Sequence, residues 1–463
     1  MSLVSVLYLV FLTIVAIAYY AIPQAWKTCL LLIASLGFYG INQGFYIFIL
    51  LFSIIVNYTL IRLWAAKAAK PWVIAAVLFN VMLLGLFKYI PAIFGFAHNP
   101  NGSLFQRIAI PIGLSFFSFQ AIGYMLDLHW SGKKTVATFP QYSLFMSFFP
   151  QLLAGPIARG KSFIPQISRA KSFDYSCIVA GLRRILWGLF KKVVIAANLA
   201  PYTDVVFQNY REHQGLTIIL AAIAYTIQIF MDFSAYSDIA IGSAKVLGYE
   251  LMENFRIPLF ARSVTDFWRR WHISLSSWVR DYLFMPLQYQ TRAWGKKGML
   301  MATMLTFLLI GVWHGANWTF VVFGLLQGFA ISWEILAVRF REQLWKLLPD
   351  WLSKAVSNLT VFLFITASAI LLRSASIGDA FAFISRISVS TGTVYFGSKQ
   401  LLIFALAGMT FVFGVDVLKG EMLITEFIDK QPGLLRWSLY IFCIIAILLI
   451  GSLRSDNFIY YQF

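Results

Sequence analysis

The sequence predicts an all-α protein that crosses a membrane many times, and three observations support this. Hydrophobic residues make up 60% of the 463 residues, charged residues only 12%, and the mean hydropathy is +0.76. A soluble globular chain carries about 25% charged residues. Apolar runs of about 20 residues, enough to cross the hydrocarbon core, recur along the chain. Because no loop is long enough to bury a core of its own, we expect a single integral membrane domain over residues 1–463.

The apolar runs give the expected membrane elements. Ten runs are assigned directly, and two shorter ones at 29–40 and 299–313 bring the expectation to 11 or 12 membrane helices, with re-entrant and interfacial helices in addition. The ten runs cover residues 3–22, 46–60, 72–90, 108–128, 178–199, 216–230, 318–338, 359–372, 401–417 and 437–453. The first run has no basic residue before it and is too long for a secretion signal, so we expect a retained transmembrane helix.

Three zones follow one another along the chain. Residues 1–130 are regular hydrophobic segments with short loops, whereas residues 131–340 mix short apolar runs with prolines, arginines and tryptophans. Residues 341–463 return to ordinary spans. We expect the middle zone to hold the functional core. No internal repeat typical of an inverted-repeat transporter is visible.

The net charge of +18 is explained by the membrane topology. An excess of Lys and Arg on cytoplasmic loops accounts for it, so no nucleic-acid partner is expected. Residues 62–70 contain three basic residues, and Lys133 and Lys134 follow the fifth segment, but the loop 96–106 contains neither Lys nor Arg. This alternation places the N-terminus outside the cytoplasm.

Residues 148–159 are apolar but contain Pro150, Gly155 and Pro156, which a continuous helix does not tolerate. Non-helical backbone at membrane depth occurs only where it is buried in protein or lines a cavity. We therefore expect a re-entrant segment here, with an interfacial loop as the alternative.

A second irregular stretch, residues 262–280, contains four arginines interleaved with Trp268, Trp271 and Trp278. Each arginine would cost about 2.5–3.5 kcal/mol at the centre of a bilayer, so this stretch is not expected to span lipid. A helix at the membrane interface, or packed inside the protein, fits the pattern. In one continuous helix Trp268, Trp271 and His272 share a face, which predicts that His272 points inward.

His314 is the most informative residue of the chain. It lies between the apolar runs 299–310 and 319–330. An imidazole at such a break is costly unless it is hydrogen-bonded or lines a wet cavity, which indicates a functional residue. A polar packing residue between helices is the alternative. The flanking Gly315 and nearby Asn317 favour a tight polar break.

The other polar candidates have structural alternatives. Asp232 and Asp238 follow an apolar run, and ion pairs with Arg or Lys from the next fifty residues are the favoured interpretation. Orientation of a histidine by Asp238 is the alternative. His272 could equally be an ordinary interfacial histidine beside Trp and Arg. The histidines and cysteines show no spacing typical of a metal site, so no metal is expected.

Four motifs, in this order, resemble the membrane-bound O-acyltransferase (MBOAT) family: MDFSAYSD at 231–238, MENF at 252–255, FWRRWHISLS at 267–276 and WHGAN at 313–317. The segment FPQLLAGPI at 149–157 also fits the bacterial branch typified by the membrane subunit of alginate O-acetylation. The resemblance implies helices around a thinned centre, with a funnel or tunnel joining the two faces of a bacterial plasma (inner) membrane. It also implies that His314 matches the catalytic histidine, and that His272 matches a second motif position that is often asparagine elsewhere.

The chemistry that the resemblance implies is acyl transfer from acetyl-CoA on the cytoplasmic side. His314 would act as general base, because an unperturbed histidine has a pKa near 6.5 and is mostly neutral at pH 7. His272 would position the donor or assist the oxyanion. The residues expected to support or orient these groups are Asp238, Trp313, Asn317 and Arg270. The candidates for contact with the phosphates of the donor are Arg159, Lys161 and Arg269, within a diffuse basic patch that also includes Arg270, Lys296 and Lys297.

The expected acceptor is an extracytoplasmic polysaccharide, either an alginate-like exopolysaccharide or another cell-envelope glycan, reached through an exported partner transferase. The segment after Leu283 departs from the Gly-Gly-Asn-Arg-like pattern of alginate-type sequences, so the acceptor stays open. Two alternatives also stay open. One is a D-alanyl transferase of the teichoic acid type that uses a carrier-protein thioester, and the other is a non-enzymatic transporter or flippase.

Overall fold

The computed structural model describes residues 1–90, 110–132, 135–153, 155–169, 171–389 and 393–452. Within these ranges the regular elements are all helices, so the all-α prediction is confirmed. The loop 96–106, Lys133 and Lys134, on which the expected orientation depends, lie outside the described residues.

The helices of the first half of the chain are α1 (Val6–Ala21), α2 (Gln24–Gln43), α3 (Ile47–Lys67), α4 (Lys70–Leu84), α5 (Leu114–Ser131), α6 (Phe139–Ser147), α7 (Phe149–Leu152), α8 (Gly160–Ser168), α9 (Tyr175–Phe190), α10 (Ala197–Gln208) and α11 (Leu216–Val246). Those of the second half are α12 (Val264–Arg270), α13 (Ile273–Val279), α14 (Met285–Gln290), α15 (Gly295–His314), α16 (Trp318–Leu336), α17 (Val338–Lys346), α18 (Asp350–Arg373), α19 (Ile377–Ser385), α20 (Lys399–Lys419), α21 (Ile424–Asp429) and α22 (Gly433–Ile450). Wider π-helical turns occur at Gly85–Tyr89, Lys191–Ala196 and Arg280–Phe284.

Eight segments of the described chain are long and apolar enough to cross a membrane, which confirms a multi-pass membrane protein. They are Gln24–Lys67, Lys70–Tyr89, Leu216–Val246, Arg292–His314, Trp318–Leu336, Asp350–Arg373, Lys399–Lys419 and Gly433–Ile450. The expected runs at 3–22 and 108–128 form α1 and α5 in their described residues, and the run at 178–199 forms most of α9, the π-helical turn Lys191–Ala196 and the start of α10. These three fall below the length or apolarity of the other eight.

The chain forms two compact units. The first comprises Met1–Leu186 and Tyr236–Glu253, and the second comprises Trp187–Ala235 and Asn254–Phe463. Both histidines singled out by the sequence belong to the second unit.

The irregular segment 148–159 lies within the first unit. The short helix α7 ends at Leu152, and the described residues that follow, up to Arg159, are not helical but are buried. Hydrogen bonds satisfy part of this segment, because Phe149 N donates to Ser35 Oγ at 3.1 Å and Gln151 Nε2 donates to Phe145 O at 2.9 Å. Burial of non-helical backbone in protein is thus confirmed, and a re-entrant path through lipid stays a prediction.

Candidate active site

His314 is the last residue of α15, at the turn that connects α15 to α16. Gly315 continues in an extended conformation, and Asn317 caps α16 by accepting a hydrogen bond from Thr319 N at 3.1 Å. Asn317 Nδ2 donates to Ala375 O at 2.7 Å, which ties the turn to the chain after α18. The tight polar break expected from the sequence is therefore present.

The two helices that meet at this turn pack backbone to backbone. A Cβ atom placed on Gly311 would lie 2.4 Å from Phe320 O, and one placed on Gly324 would lie 2.3 Å from Phe307 O. Only glycine permits this approach, as in other small-residue contacts between membrane helices. The position of His314, one turn after Gly311, depends on it.

Aromatic rings surround the His314 side chain, which is only 6% exposed. Its ring centroid lies 4.8 Å from that of Trp313, 6.0 Å from Phe323 at an interplanar angle of 88°, and 6.3 Å from Phe320. Water is largely excluded from such a position, and hydrogen bonds formed there are stronger than in bulk water.

His272 lies at a break between two short helices, so the prediction of one continuous helix through Trp268, Trp271 and His272 is wrong. α12 ends at Arg270, and His272 has a left-handed backbone (φ 44°, ψ 53°) before α13 begins. Asn254 supplies part of the physical reason, because Asn254 O accepts a hydrogen bond from Ile273 N at 2.9 Å and Asn254 Oδ1 accepts one from Ser274 Oγ at 2.9 Å. The inward orientation is confirmed, because His272 is only 1% exposed.

The protonation state of His272 follows from its contacts. Its Nδ1 accepts a hydrogen bond from Leu275 N at 3.3 Å, which assigns the ring proton to Nε2. Burial lowers the pKa of His272 to about 3, so the ring is neutral at physiological pH. The Phe233 ring meets it edge-on, with 4.7 Å between centroids. The arrangement suits a neutral N–H donor better than a proton acceptor.

A cavity of about 480 Å³ lies beside these elements, with walls from α12 to α16. Its lining includes Ile310, one turn before His314, and Ile273, which directly follows His272. Its polar lining includes Arg269, Arg280, Thr303 and Thr306. Thr306 is 4% exposed, and its Oγ1 has no hydrogen-bond partner among the described residues. A ligand with polar atoms along a narrow apolar chain would fit such a lining.

A second basin of about 470 Å³ shares Gln288 and Met299 with the cavity. Its lining is basic, with Arg292 in the turn before α15 and Lys296 at the start of α15. The Arg292 guanidinium stacks on Tyr289 at 3.9 Å from the ring centroid. Cations beside a helix N-terminus form a suitable surface for an anion.

The carboxylates of the 231–238 motif are ion-paired. Asp232 accepts a hydrogen bond from Lys192 Nζ at 2.5 Å, and Asp238 accepts one from Arg184 Nε at 2.7 Å. Arg184 also pairs with Glu253. The expectation that the cations come from the next fifty residues is wrong: both precede the motif, because α9 and the π-helical turn after it supply them. Orientation of a histidine by Asp238 stays a prediction.

The remaining predicted residues are dispersed. Arg269 lines the cavity, whereas the neighbouring Arg270 donates to Asp266 Oδ1 at 2.9 Å. Arg159 and Lys161 lie at the start of α8 in the first unit, with Arg159 buried and Lys161 exposed. Trp313 contacts the His314 ring.

Sequence reasoning missed three groups of this region. Glu334 in α16, the adjacent buried lysines Lys191 and Lys192, and the threonines of the cavity wall were not singled out. The criterion that selected His314, an ionisable group inside an apolar run, would have selected Glu334 as well.

With this geometry established, comparison with known proteins identifies the family. The family model for MBOAT, membrane-bound O-acyltransferase family, matches residues 104–374, which include both histidines. The chain belongs to the membrane-bound O-acyltransferase family.

The names of curated relatives of this MBOAT chain indicate different polymers. An Azotobacter vinelandii protein named "Probable alginate O-acetylase" is 36% identical over 327 residues, 67% of this chain and 64% of the relative. The Helicobacter pylori "Peptidoglycan O-acetyltransferase" is 35% identical over 347 residues, with the same two coverages. The Bacillus subtilis "Teichoic acid D-alanyltransferase" is 28% identical over 235 residues, 49% of this chain and 58% of the relative. The chain thus matches slightly less than two thirds of the length of the first two relatives.

Proposed function

We propose that this MBOAT protein is an O-acyltransferase that moves an acetyl group from cytoplasmic acetyl-CoA toward a hydroxyl group outside the cytoplasm. The observation that carries the proposal is the position of His314: it is buried among aromatic rings at the turn between α15 and α16, one turn beyond a residue of the 480 Å³ cavity. The family membership and the names of the relatives support the same chemistry.

In this proposal His314 is the general base. Its neutral imidazole takes the proton of the acceptor hydroxyl while that oxygen forms a bond to the acetyl carbonyl carbon. The C–S bond then breaks, CoA leaves as a thiolate, and the proton held by His314 passes to the sulfur. His272 assists through its Nε2–H, which donates to the oxyanion of the tetrahedral intermediate. A neutral donor suits this role, because burial keeps the His272 ring neutral and the hydrogen bond that Nδ1 accepts from Leu275 N leaves the ring proton on Nε2.

The cavity and the basin support a route for the donor. The basic basin at Arg292 and Lys296 would receive the phosphates, and the cavity that shares Gln288 and Met299 with it would hold the thioester arm, with Thr306 as a hydrogen-bonding group on its wall. Arg269 lines the cavity and is the predicted donor contact that this route uses directly. Arg159 and Lys161, which were predicted donor contacts as part of a diffuse basic patch, stay predictions and are not used by this route.

The proposed final acceptor is a cell-envelope polysaccharide, with alginate-like exopolysaccharide or peptidoglycan as the candidates. The relatives' names indicate both polymers. We place the protein in the bacterial inner membrane with its N-terminus outside the cytoplasm, and we expect an exported transferase to receive the acetyl group and pass it to the polymer. Trp313, Asn317 and Arg270 are proposed to hold the site in shape.

A second candidate is transfer of D-alanine from a carrier-protein thioester. The similarity to the Bacillus subtilis protein favours it specifically. The chemistry at His314 would be the same, since both donors are thioesters, and only the group that carries the thioester would differ.

The test compares wild type with His314→Ala in lipid, using radiolabelled acetyl-CoA and measuring thioester cleavage and label transfer. Loss of the general base should lower the rate by about 10²–10⁴-fold. His129→Ala, a substitution at a histidine of the first unit, serves as the matched control and should retain the wild-type rate. An active His314→Ala variant would refute the role of His314. Activity only with a D-alanyl carrier protein would replace acetyl-CoA by the second candidate.

A further inference from the structure

We propose that Glu334 is a positioning residue: it binds the start of the short helix α12 and so holds this helix in place as part of the cavity wall. The inference rests on the proposed function, in which this cavity receives the donor. Glu334 lies near the end of α16, within a segment apolar enough to span the membrane. A carboxylate is expensive in such a segment unless several partners compensate it, so its partners indicate what it does there.

The partners of Glu334 are the first residues of α12. Its Oε1 accepts a hydrogen bond from Val264 N at 2.6 Å, and its Oε2 accepts two from Thr265, one from N at 3.0 Å and one from Oγ1 at 2.7 Å. The Arg341 guanidinium adds a cation at 3.6 Å. Glu334 thus provides the N-terminal hydrogen-bond acceptors that α12 itself lacks.

With these contacts, each backbone N–H group in the first turn of α12 has a hydrogen-bond acceptor. The first N–H groups of a helix have no partner within the helix. Glu334 accepts from the first two, Ser263 Oγ accepts from Asp266 N at 2.9 Å, and Ser263 O accepts from Phe267 N at 2.9 Å. Because α12 is only seven residues long, this single carboxylate from α16 holds a large part of its N-terminus.

A second anchor joins the same two helices. Trp268 Nε1 donates to Gln327 Oε1 at 3.2 Å, and Gln327 Nε2 donates to Ser368 Oγ at 3.0 Å. Gln327 lies seven residues before Glu334, two turns along the same face of α16. The two side chains therefore hold α12 at its start and near its middle.

The residues between and beside these anchors line the cavity. Thr265, Trp268 and Arg269 face it from α12, and Ile331 and Ile335, on either side of Glu334, face it from α16. Loss of the carboxylate would release the wall that carries Arg269. The effect should fall on donor binding more than on the acyl-transfer step, because α12 does not carry His314.

The kinetic experiment measures KM for acetyl-CoA and kcat for Glu334→Gln and Glu334→Ala in lipid. Glu334→Gln keeps the shape and one acceptor oxygen, and losing charge-assisted hydrogen bonds should raise KM about 10-fold with little change in kcat. Glu334→Ala should raise KM further. Asp350→Asn removes a 77%-exposed carboxylate from the start of α18 and is the matched control, with KM unchanged.

A second measurement does not depend on turnover. In a background in which Cys29, Cys177 and Cys443 are replaced by serine, Thr306→Cys places one thiol on the cavity wall, and its labelling rate by a small thiosulfonate reports access to the cavity. Adding Glu334→Ala should speed labelling at least several-fold, and Glu334→Gln should give an intermediate rate. Adding Asp350→Asn should leave the rate unchanged.

The kinetic and labelling experiments distinguish a failure of the role proposed for Glu334 from a failure of the proposed function. Unchanged labelling together with unchanged KM would overturn the role of Glu334. A loss of kcat and thermal stability in step, without an effect on KM or labelling, would also overturn it and indicate a purely structural residue. Failure of wild type to use acetyl-CoA would refute the proposed donor, and the labelling arm would still decide whether Glu334 sets the wall.

Discussion

The close approach of α15 and α16 predicts that Gly324→Ala lowers the rate of acyl transfer while leaving a folded protein. The alanine Cβ would lie 2.3 Å from Phe307 O and 3.0 Å from the Cα of Gly311. Real Cβ contacts essentially never fall below 3.0 Å. Both close atoms belong to the backbone, so the clash disappears only if α15 and α16 move apart. The required separation is about 0.7 Å or more, the difference between the 3.0 Å limit and the 2.3 Å contact.

The expected magnitudes follow from this displacement. Overpacking of this kind costs about 1–3 kcal/mol, and replacing a helical glycine by alanine returns up to about 1 kcal/mol. The net loss of stability is therefore small. A shift of about 1 Å in a catalytic group can cost about 10²-fold in rate, and His314 lies one turn beyond the contact. We expect kcat to fall by 10–100-fold with a modest fall in the thermal midpoint.

The assay is acetyl-CoA turnover in lipid, together with thermal unfolding of the same samples. Two other alanine substitutions calibrate it. Gly328→Ala on the same helix would place its Cβ 3.2 Å from both Met304 Sδ and Phe307 Cβ. Both distances exceed 3.0 Å and need only a small displacement, so a milder effect than at Gly324 is expected. For Gly414→Ala in α20, no neighbouring atom of the described residues lies within 4 Å of the new Cβ, so this variant should match wild type. A wild-type kcat for Gly324→Ala, or an equal loss at Gly414, would refute the reasoning.

Three further predictions concern buried polar groups. His272→Asn should keep activity within about 10-fold, because asparagine tolerates the left-handed backbone, caps α13 and keeps an N–H donor, whereas His272→Ala should lose about 10²-fold or more. The pKa of His272 is lower in the folded protein than in the unfolded chain, so acid favours the unfolded chain. The stability of the wild type should therefore fall as pH drops from about 6.5 toward 4, by about 2 kcal/mol at pH 5. The thermal midpoint of His272→Asn should not show this pH dependence. Asp232→Asn should lower the stability of the protein by about 3–5 kcal/mol, because it leaves the charge of Lys192 buried without its carboxylate partner. The double variant Asp232→Leu with Lys192→Met should recover much of that loss. Equal thermal midpoints for the single and the double variant would contradict this prediction.

The parts of the fold that follow from local pattern could be predicted from the sequence. The helices that span the membrane are marked by runs of apolar residues, and the turn at His314 is marked by glycine and a capping asparagine beside it. Both signals lie within a few residues of the feature they predict. The interruption at 148–159 was predictable for the same reason, since proline and glycine act on their immediate neighbours.

The parts that depend on distant residues could not be predicted in this way. A continuous helix through His272 satisfied every local criterion, but Asn254, eighteen residues earlier, hydrogen-bonds to the start of α13 and helps fix the break. The cations paired with Asp232 and Asp238 lie 40 and 54 residues before them. A sequence shows that a buried carboxylate needs a partner, but helix packing decides which side of the chain supplies it.

The free-energy cost of placing a polar residue in an apolar segment therefore indicates that the residue matters, but it does not indicate how the residue acts. His314 and Glu334 both interrupt apolar runs, yet one ends its helix among aromatic rings at a turn, and the other accepts hydrogen bonds from a helix some seventy residues earlier. Their roles differ because of what they face. In the proposed function the His314 imidazole, one turn beyond a cavity residue, exchanges a proton with a substrate, whereas the Glu334 carboxylate accepts hydrogen bonds from α12 and pairs with an arginine, so it holds what it binds. The same argument predicts that His314 tolerates no replacement without a titratable nitrogen, while Glu334 tolerates a neutral acceptor in part.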